Sequence, residues 1–152
     1  LLDARGFGAE DFARSHPGGS LGRRLLTHVR DVMRPPERVP QLSEHAALTE
    51  TLLAMTQGGM GMAAIIAADG TPLGIFTDGD LRRALERGID VRQAGLNEVI
   101  TRNPRSISPD ALAVEAAEMM ERLRISQLLV VDSAGKLAGA LTTHDLMQAR
   151  VI

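Results

Sequence analysis

The 152-residue chain has no cysteine, no tryptophan and no tyrosine, and only three phenylalanines and a single lysine, Lys136. Without a thiol, disulfides and thiolate catalysis are both excluded, which fits a cytoplasmic protein. So few aromatic rings disfavour base-stacking platforms and aromatic-rich interfaces. No apolar run is long enough to span a membrane, and the opening Leu1-Leu2-Asp3-Ala4-Arg5 lacks the charged-then-apolar layout of a secretory signal. An initiator Met is missing too, so the chain reads as a piece of a longer one. It also lacks a basic surplus: the net charge of −2 argues against a general nucleic-acid binder. The bases present are nearly all arginine, the residue suited to bidentate phosphate and carboxylate recognition, although a GC-rich genome gives the same bias.

What the chain does have is a repeat. The run Ala64-Ile65-Ile66-Ala67-Ala68-Asp69-Gly70 through Thr77-Asp78-Gly79-Asp80-Leu81 returns as Leu129-Val130-Val131 through Thr142-Thr143-His144-Asp145-Leu146. Gly70 matches Gly135, Gly74 matches Gly139, Thr77 matches Thr142 and Asp80 matches Asp145, each 65 residues on. Each copy reads as helix, strand, tight turn, strand, helix. The first helices are expected over 46–57 and 109–123, the second started by Ser108-Pro109-Asp110 as N-cap, first-turn proline and acid. Strands at 63–67 and 73–76, and at 128–131 and 137–141, should pair as antiparallel hairpins. Leu81, Ala84 and Leu85 mark one face of the next helix, which Gly88 ends. Residues 36–40 and 103–107 read as extended entry pieces. One such unit leaves an apolar sheet face bare, so the two should cover each other about a pseudo-twofold axis. The boundaries fall near 30–90 and 95–152, after a lead segment at 1–29.

The chemistry concentrates where each second strand turns into its helix, at Thr77-Asp78-Gly79-Asp80 and Thr142-Thr143-His144-Asp145. Thr-x-x-Asp at a helix start is a capping box, which alone accounts for the residues in one copy. The same geometry also serves a ligand. A helix N-terminus attracts phosphate, and the carboxylate beside it can accept hydrogen bonds from sugar hydroxyls. A matched pair inside a repeat favours the ligand.

Gly74-Ile75-Phe76-Thr77-Asp78-Gly79-Asp80 and its partner at 139–145 resemble the Gly-h-x-Ser/Thr-x-x-Asp signature that closes a cystathionine-β-synthase-type (CBS) module. The resemblance implies an α/β fold of two βαββα units forming a tandem CBS pair, or Bateman module, with nucleotide clefts between them. It implies that Asp80 and Asp145 hold ribose hydroxyls and that Thr77 and Thr142 lie near phosphate. Gly61-Met62 and Ser126-Gln127, at the starts of the central strands, would border the clefts. His144, inside the second turn, is equally compatible with ligand contact and with simple exposure. Copy one, with Arg82 and Arg83 after its aspartate, is the better equipped.

The lead segment, with Arg5-Gly6-Phe7-Gly8 and Ser15-His16-Pro17-Gly18-Gly19-Ser20, resembles the end of the sugar isomerase domain of D-arabinose-5-phosphate isomerases, which runs directly into two CBS modules. Those enzymes interconvert ribulose 5-phosphate and arabinose 5-phosphate on the way to 3-deoxy-D-manno-octulosonate (Kdo) and lipopolysaccharide. His16 matches a histidine of their active site, where aldose–ketose chemistry needs an acid and a base. Here it stands without a catalytic sheet. The resemblance therefore implies a regulatory module sensing a nucleotide or nucleotide sugar, with CMP-Kdo favoured as pathway end product and AMP or ATP second. Arg82, Arg83 or Arg124 would meet the sugar carboxylate. Further expectations are the sugar isomerase domain of the same chain and a second copy as partners, and no cofactor, metal, nucleic acid or membrane. A CBS pair from another parent, or an oligomerisation module with empty clefts, remain the alternatives.

Overall fold

The computed structural model describes residues 20–152. Helix α1 (Ser20–Leu26) and the short α2 (Val29–Val32) lead into a first unit of β1 (Gln41–Leu42), α3 (Leu48–Gly58), β2 (Met62–Ile66), β3 (Pro72–Thr77) and α4 (Asp78–Glu86). After β4 (Thr101–Arg102) the pattern repeats as β5 (Ser106–Ile107), α5 (Ala113–Leu123), β6 (Gln127–Val131), β7 (Leu137–Thr142) and α6 (Thr143–Gln148). Both units have the expected βαββα order. In each, the short entry strand runs parallel to the central strand and the hairpin is antiparallel. The hairpin turns use left-handed glycines, Gly70 and Gly135.

Each unit has a core between its sheet and its helices, built on Leu48, Ile65 and Phe76 in the first and on Ala116, Leu128 and Leu141 in the second. A third cluster lies between the units, where Met60, Met62, Ala64 and Ile75 meet Leu129 and Ala140. Either sheet alone would leave this face in water, so the two copies stabilise each other by apolar burial.

Three local expectations are corrected. Residues 36–38 form a 3-10 turn with Pro36 at its start instead of an extended piece. Ser108-Pro109-Asp110 makes a side-chain turn, Asp110 N–H donating to Ser108 Oγ at 3.1 Å, and the helix begins only at Ala113. The reason is tertiary: the carbonyls of Pro109 and Ala111 accept the N–H groups of Arg30 and Val29, which holds this stretch out of the helix. Leu85 is 56% exposed, because α4 buries Asp80 and Ala84 four residues apart and Leu85 lies a further 100° around the axis.

The unit boundaries are interleaved rather than consecutive. Val29 sits in the core of the second unit, and Arg34 bridges Ala140 on its sheet edge. Reciprocally, Leu96 and Val99 pack in the first core and β4 pairs with β3, Thr101 opposite Ile75. Each lead-in covers the edge of the other copy's sheet. A cut at 30 and 95 would strip both. The signature glycines exist for this approach: a Cβ on Gly74 would lie 2.8 Å from the Thr101 carbonyl oxygen, and one on Gly139 would collide with that of Arg34.

Candidate functional site

The β3–α4 turn forms one wall of a cleft of about 750 Å³ between the units. Thr77, Asp78, Asp80, Arg82 and Arg83 come from this turn and helix; Thr101, Arg102, Asn103, Pro104 and Arg105 from the strand and loop leading to unit two; Arg124, Ser126 and Gln127 from the α5–β6 corner of unit two. The volume falls in the range of small-molecule sites. Five arginines line it against two aspartates, in a chain whose net charge is −2. That surplus of guanidinium groups suits the recognition of an anion.

Around Thr77 the capping box is complete. Thr77 N–H donates to Asp80 Oδ2 at 2.9 Å, while Asp80 N–H donates to Thr77 Oγ1 at 3.2 Å. Asp80 is only 5% exposed. Its Oδ2 also accepts from Thr77 Oγ1, and its Oδ1 accepts from Arg83 Nη2 at 2.7 Å and Thr101 Oγ1 at 3.0 Å. The carboxylate that the resemblance offers to ribose is therefore closed on internal donors, and a hydroxyl must displace Arg83 or Thr101 to reach it. Arg83, 58% exposed, has room to turn toward solvent or a ligand.

The other cations differ in their engagement. Arg82 lies 3.9 Å from Glu86 on its own helix, and Arg102 donates to Asn97 Oδ1 at 2.6 Å. Arg105 and Arg124 have no side-chain partner among the described residues. Arg124 is also strained: it caps α5 at φ 54°, ψ 46°, the left-handed region, at the position where Gly59 (φ 65°) caps α3. Arg124 thus enters the cleft from a backbone conformation that glycine would adopt at lower cost.

The repeat-related turn around Thr142, His144 and Asp145 is built differently. Its capping box is equally complete, but Arg34 Nε lies 3.2 and 3.3 Å from the two Asp145 carboxylate oxygens. His144 is exposed on α6, its Nε2 3.4 Å from Gln148. Met62, expected to border a cleft, is wholly buried in the seam between the units, because its strand position faces the other sheet. Gly61 lies behind the first cleft at φ 69°; a Cβ there would be 2.9 Å from Asp78 Oδ2 and 3.2 Å from Gln127 Nε2.

Of the residues singled out by sequence, Thr77, Asp80, Arg82, Arg83, Arg124, Ser126 and Gln127 are brought together in the first cleft. Thr142, His144 and Asp145 stand at the matching β7–α6 turn of the second unit. His16 falls outside the described residues. Sequence reasoning missed Thr101, Arg102 and Arg105. Their signal was the basic stretch Thr101-Arg102-Asn103-Pro104-Arg105, hidden because the lead-in segments correspond at an offset of 67, Thr101 with Arg34, instead of the 65 of the repeat.

The CBS domain model matches residues 29–87 and again 96–152. Arabinose 5-phosphate isomerase KdsD of Pseudomonas aeruginosa is 51% identical over all 152 residues, which cover 47% of that protein. The Escherichia coli K12 protein of the same name is 45% identical, with 46% of it covered. The chain thus spans about half the length of the curated relatives it matches. Among solved structures, a CBS domain pair in complex with 5′-methylthioadenosine and S-adenosyl-L-methionine superposes with a TM-score of 0.72 at 23% identity, over 80% of this chain and 94% of that one. A CBS domain protein from Pyrobaculum aerophilum complexed with AMP gives 0.70 at 24%, over 78% and 89%. The solved pairs share the fold, the family model matches twice over most of the chain, and this chain belongs to the CBS domain family as a tandem pair.

Proposed function

We propose that this CBS pair is the ligand-sensing regulatory module of an arabinose 5-phosphate isomerase, and that its arginine-lined cleft takes the phosphate of a nucleotide-type ligand, CMP-Kdo being favoured. The observation that carries the ligand reading is the convergence of five arginines from both units around the N-terminus of α4, two of them without a side-chain partner among the described residues. Phosphate at the helix start and a sugar carboxylate against Arg105 or Arg124 give each anion a separate seat. The parentage rests on full-chain similarity to proteins named arabinose 5-phosphate isomerase KdsD. An end product acting on a first committed enzyme supplies the logic for CMP-Kdo.

An adenine nucleotide is the second reading, favoured by the AMP complex of the Pyrobaculum relative. Calorimetric titration of CMP-Kdo and of AMP into the chain and into Arg105→Ala separates the two. Tight CMP-Kdo binding, weakened in the variant, is the expected result. Heat from AMP alone replaces the ligand. Heat from neither overturns the sensing role in favour of an oligomerisation module. The chain by itself should not isomerise arabinose 5-phosphate, since His16 acts as an acid or base only when positioned against substrate. A second copy is expected on the helix faces that expose Leu53, Leu85 and Met147, and light scattering at micromolar concentration reads this directly.

A further inference from the structure

The two clefts are related by the repeat but not by their contents. In the first, the buried aspartate Asp80 is held by Thr101 and by Arg83 of its own helix, a side chain 58% exposed to solvent. In the second, the place of Thr101 is taken by Arg34: Thr101 pairs with Ile75 in the first sheet, and Arg34 bridges the matching Ala140 in the second. The consequence is a change from a hydroxyl to a guanidinium. Arg34 Nε spans both oxygens of Asp145, with the two side chains only 17% and 14% exposed. Its Nη1 reaches across the cleft to the Gly58 carbonyl at 3.4 Å, at the end of α3 in the other unit. Arg34 is fixed at both ends. Its backbone N–H and carbonyl pair with Ala140 at 2.8 and 3.1 Å, and its head is pinned between the units.

The opposite corner differs in the same sense. Where the first cleft presents Arg124, Ser126 and Gln127, the corresponding positions are Gly59, Gly61 and Met62, of which Met62 is wholly buried and the glycines carry no side chain.

We propose that Arg34 is a built-in occupant of the second cleft, so that the tandem pair takes one ligand where its twofold design offers two seats; the count of one rests on the ligand-binding reading of the first cleft. A ligand entering the second cleft would have to unseat a partly buried ion pair and leave an uncompensated charge, which opposes entry strongly. In the first cleft the displaced partner is the 58% exposed Arg83, and Asp80 keeps its hydrogen bonds from Thr77 and Thr101 when that arginine turns away. The contact from Arg34 Nη1 to the Gly58 carbonyl also ties the units together on the closed side, so any motion on ligand binding should open and shut the Arg124 side about this edge.

The test has two independent arms. In 15N-arginine-labelled protein without ligand, the Arg34 Nε–H should exchange with solvent roughly tenfold or more slowly than those of Arg105 and Arg124, and Asp145→Asn should abolish that protection. Equal exchange rates for the three overturn the occupied cleft whatever the ligand. Titration of the intact chain with CMP-Kdo and with AMP should then saturate at one molecule per chain and move the Arg83 and Arg124 signals but not that of Arg34. Saturation at two per chain, or displacement of the Arg34 signal by either probe, overturns the proposal. Failure of both probes to bind counts against the sensing reading of the first cleft and removes the count of one, while the exchange arm still decides whether Arg34 closes the second.

Discussion

Arg124→Gly should make the protein more stable and worse at binding. The residue sits at φ 54°, ψ 46° as the C-cap of α5, with its backbone N–H bonded to the carbonyls of Met120 and Glu121. The left-handed region costs an L-residue roughly 1–2 kcal/mol, and glycine escapes that penalty but loses about 0.5–1 kcal/mol in unfolded-chain entropy. The net gain is about 0.5–1 kcal/mol, which for a chain of this size raises Tm by roughly 1–4 °C. No side-chain hydrogen bond or ion pair among the described residues is lost to offset it. Removing one charge-assisted contact to an anion costs about 1.5–3 kcal/mol, or roughly ten- to hundredfold in Kd. Thermal melts of the unliganded protein and calorimetry with CMP-Kdo and AMP measure the two effects separately. Arg124→Ala is the control: it loses the same cation but keeps the positive φ, so affinity should fall without the rise in Tm. Arg150→Gly is the second control, since Arg150 (φ 59°) is strained in the same way but does not line the cleft, so only Tm should rise. A lower Tm in Arg124→Gly refutes the strain argument. Unchanged affinity of a ligand that binds the wild type refutes the placement of Arg124 in the site.

Gly139→Ala should destabilise the fold by about 1–3 kcal/mol in a urea titration, because the new Cβ meets the Arg34 carbonyl and the Met33 sulfur at 3.0 Å; Gly74→Ala, against the Thr101 carbonyl, should behave alike. Asp80→Ala removes the acceptor of four hydrogen bonds and should cost about 2–3 kcal/mol of stability in the same assay, so its effect on binding must be read at a temperature where the variant is folded. The Asp69 carboxyl is held below its ordinary value of 3.8 by hydrogen bonds from Thr71 and, less strongly, by Lys136, whose ammonium crosses from the other hairpin turn to the Asp69 carbonyl. A depressed carboxylate contributes stability above its unfolded value that is lost as pH falls through the folded one. An NMR titration of Asp69 should therefore show a midpoint below 3.8, and Lys136→Met should move it upward.

How much of this was legible in sequence follows from the range of the forces involved. The repeat, the hairpins and the Thr-x-x-Asp caps are local: alternating apolar strands, turn glycines and an acid three residues after a threonine specify themselves within a few positions. Sequence therefore determined the βαββα order, the pairing of the two copies and, of the first cleft, the α4 wall and the Arg124 corner. It did not determine where α5 begins, because the carbonyls of Pro109 and Ala111 are taken by Val29 and Arg30, some 80 residues earlier. Nor did it reveal that the copies exchange lead-in segments, which puts Val29 in one core and Val99 in the other. That exchange decided the rest. It carried Arg102 and Arg105 to the open cleft and Arg34 onto Asp145 in the second, so two turns nearly alike in sequence ended with different chemistry. A carboxylate's neighbours are fixed by what the tertiary fold lays against it, and no pattern inside either repeat encodes that.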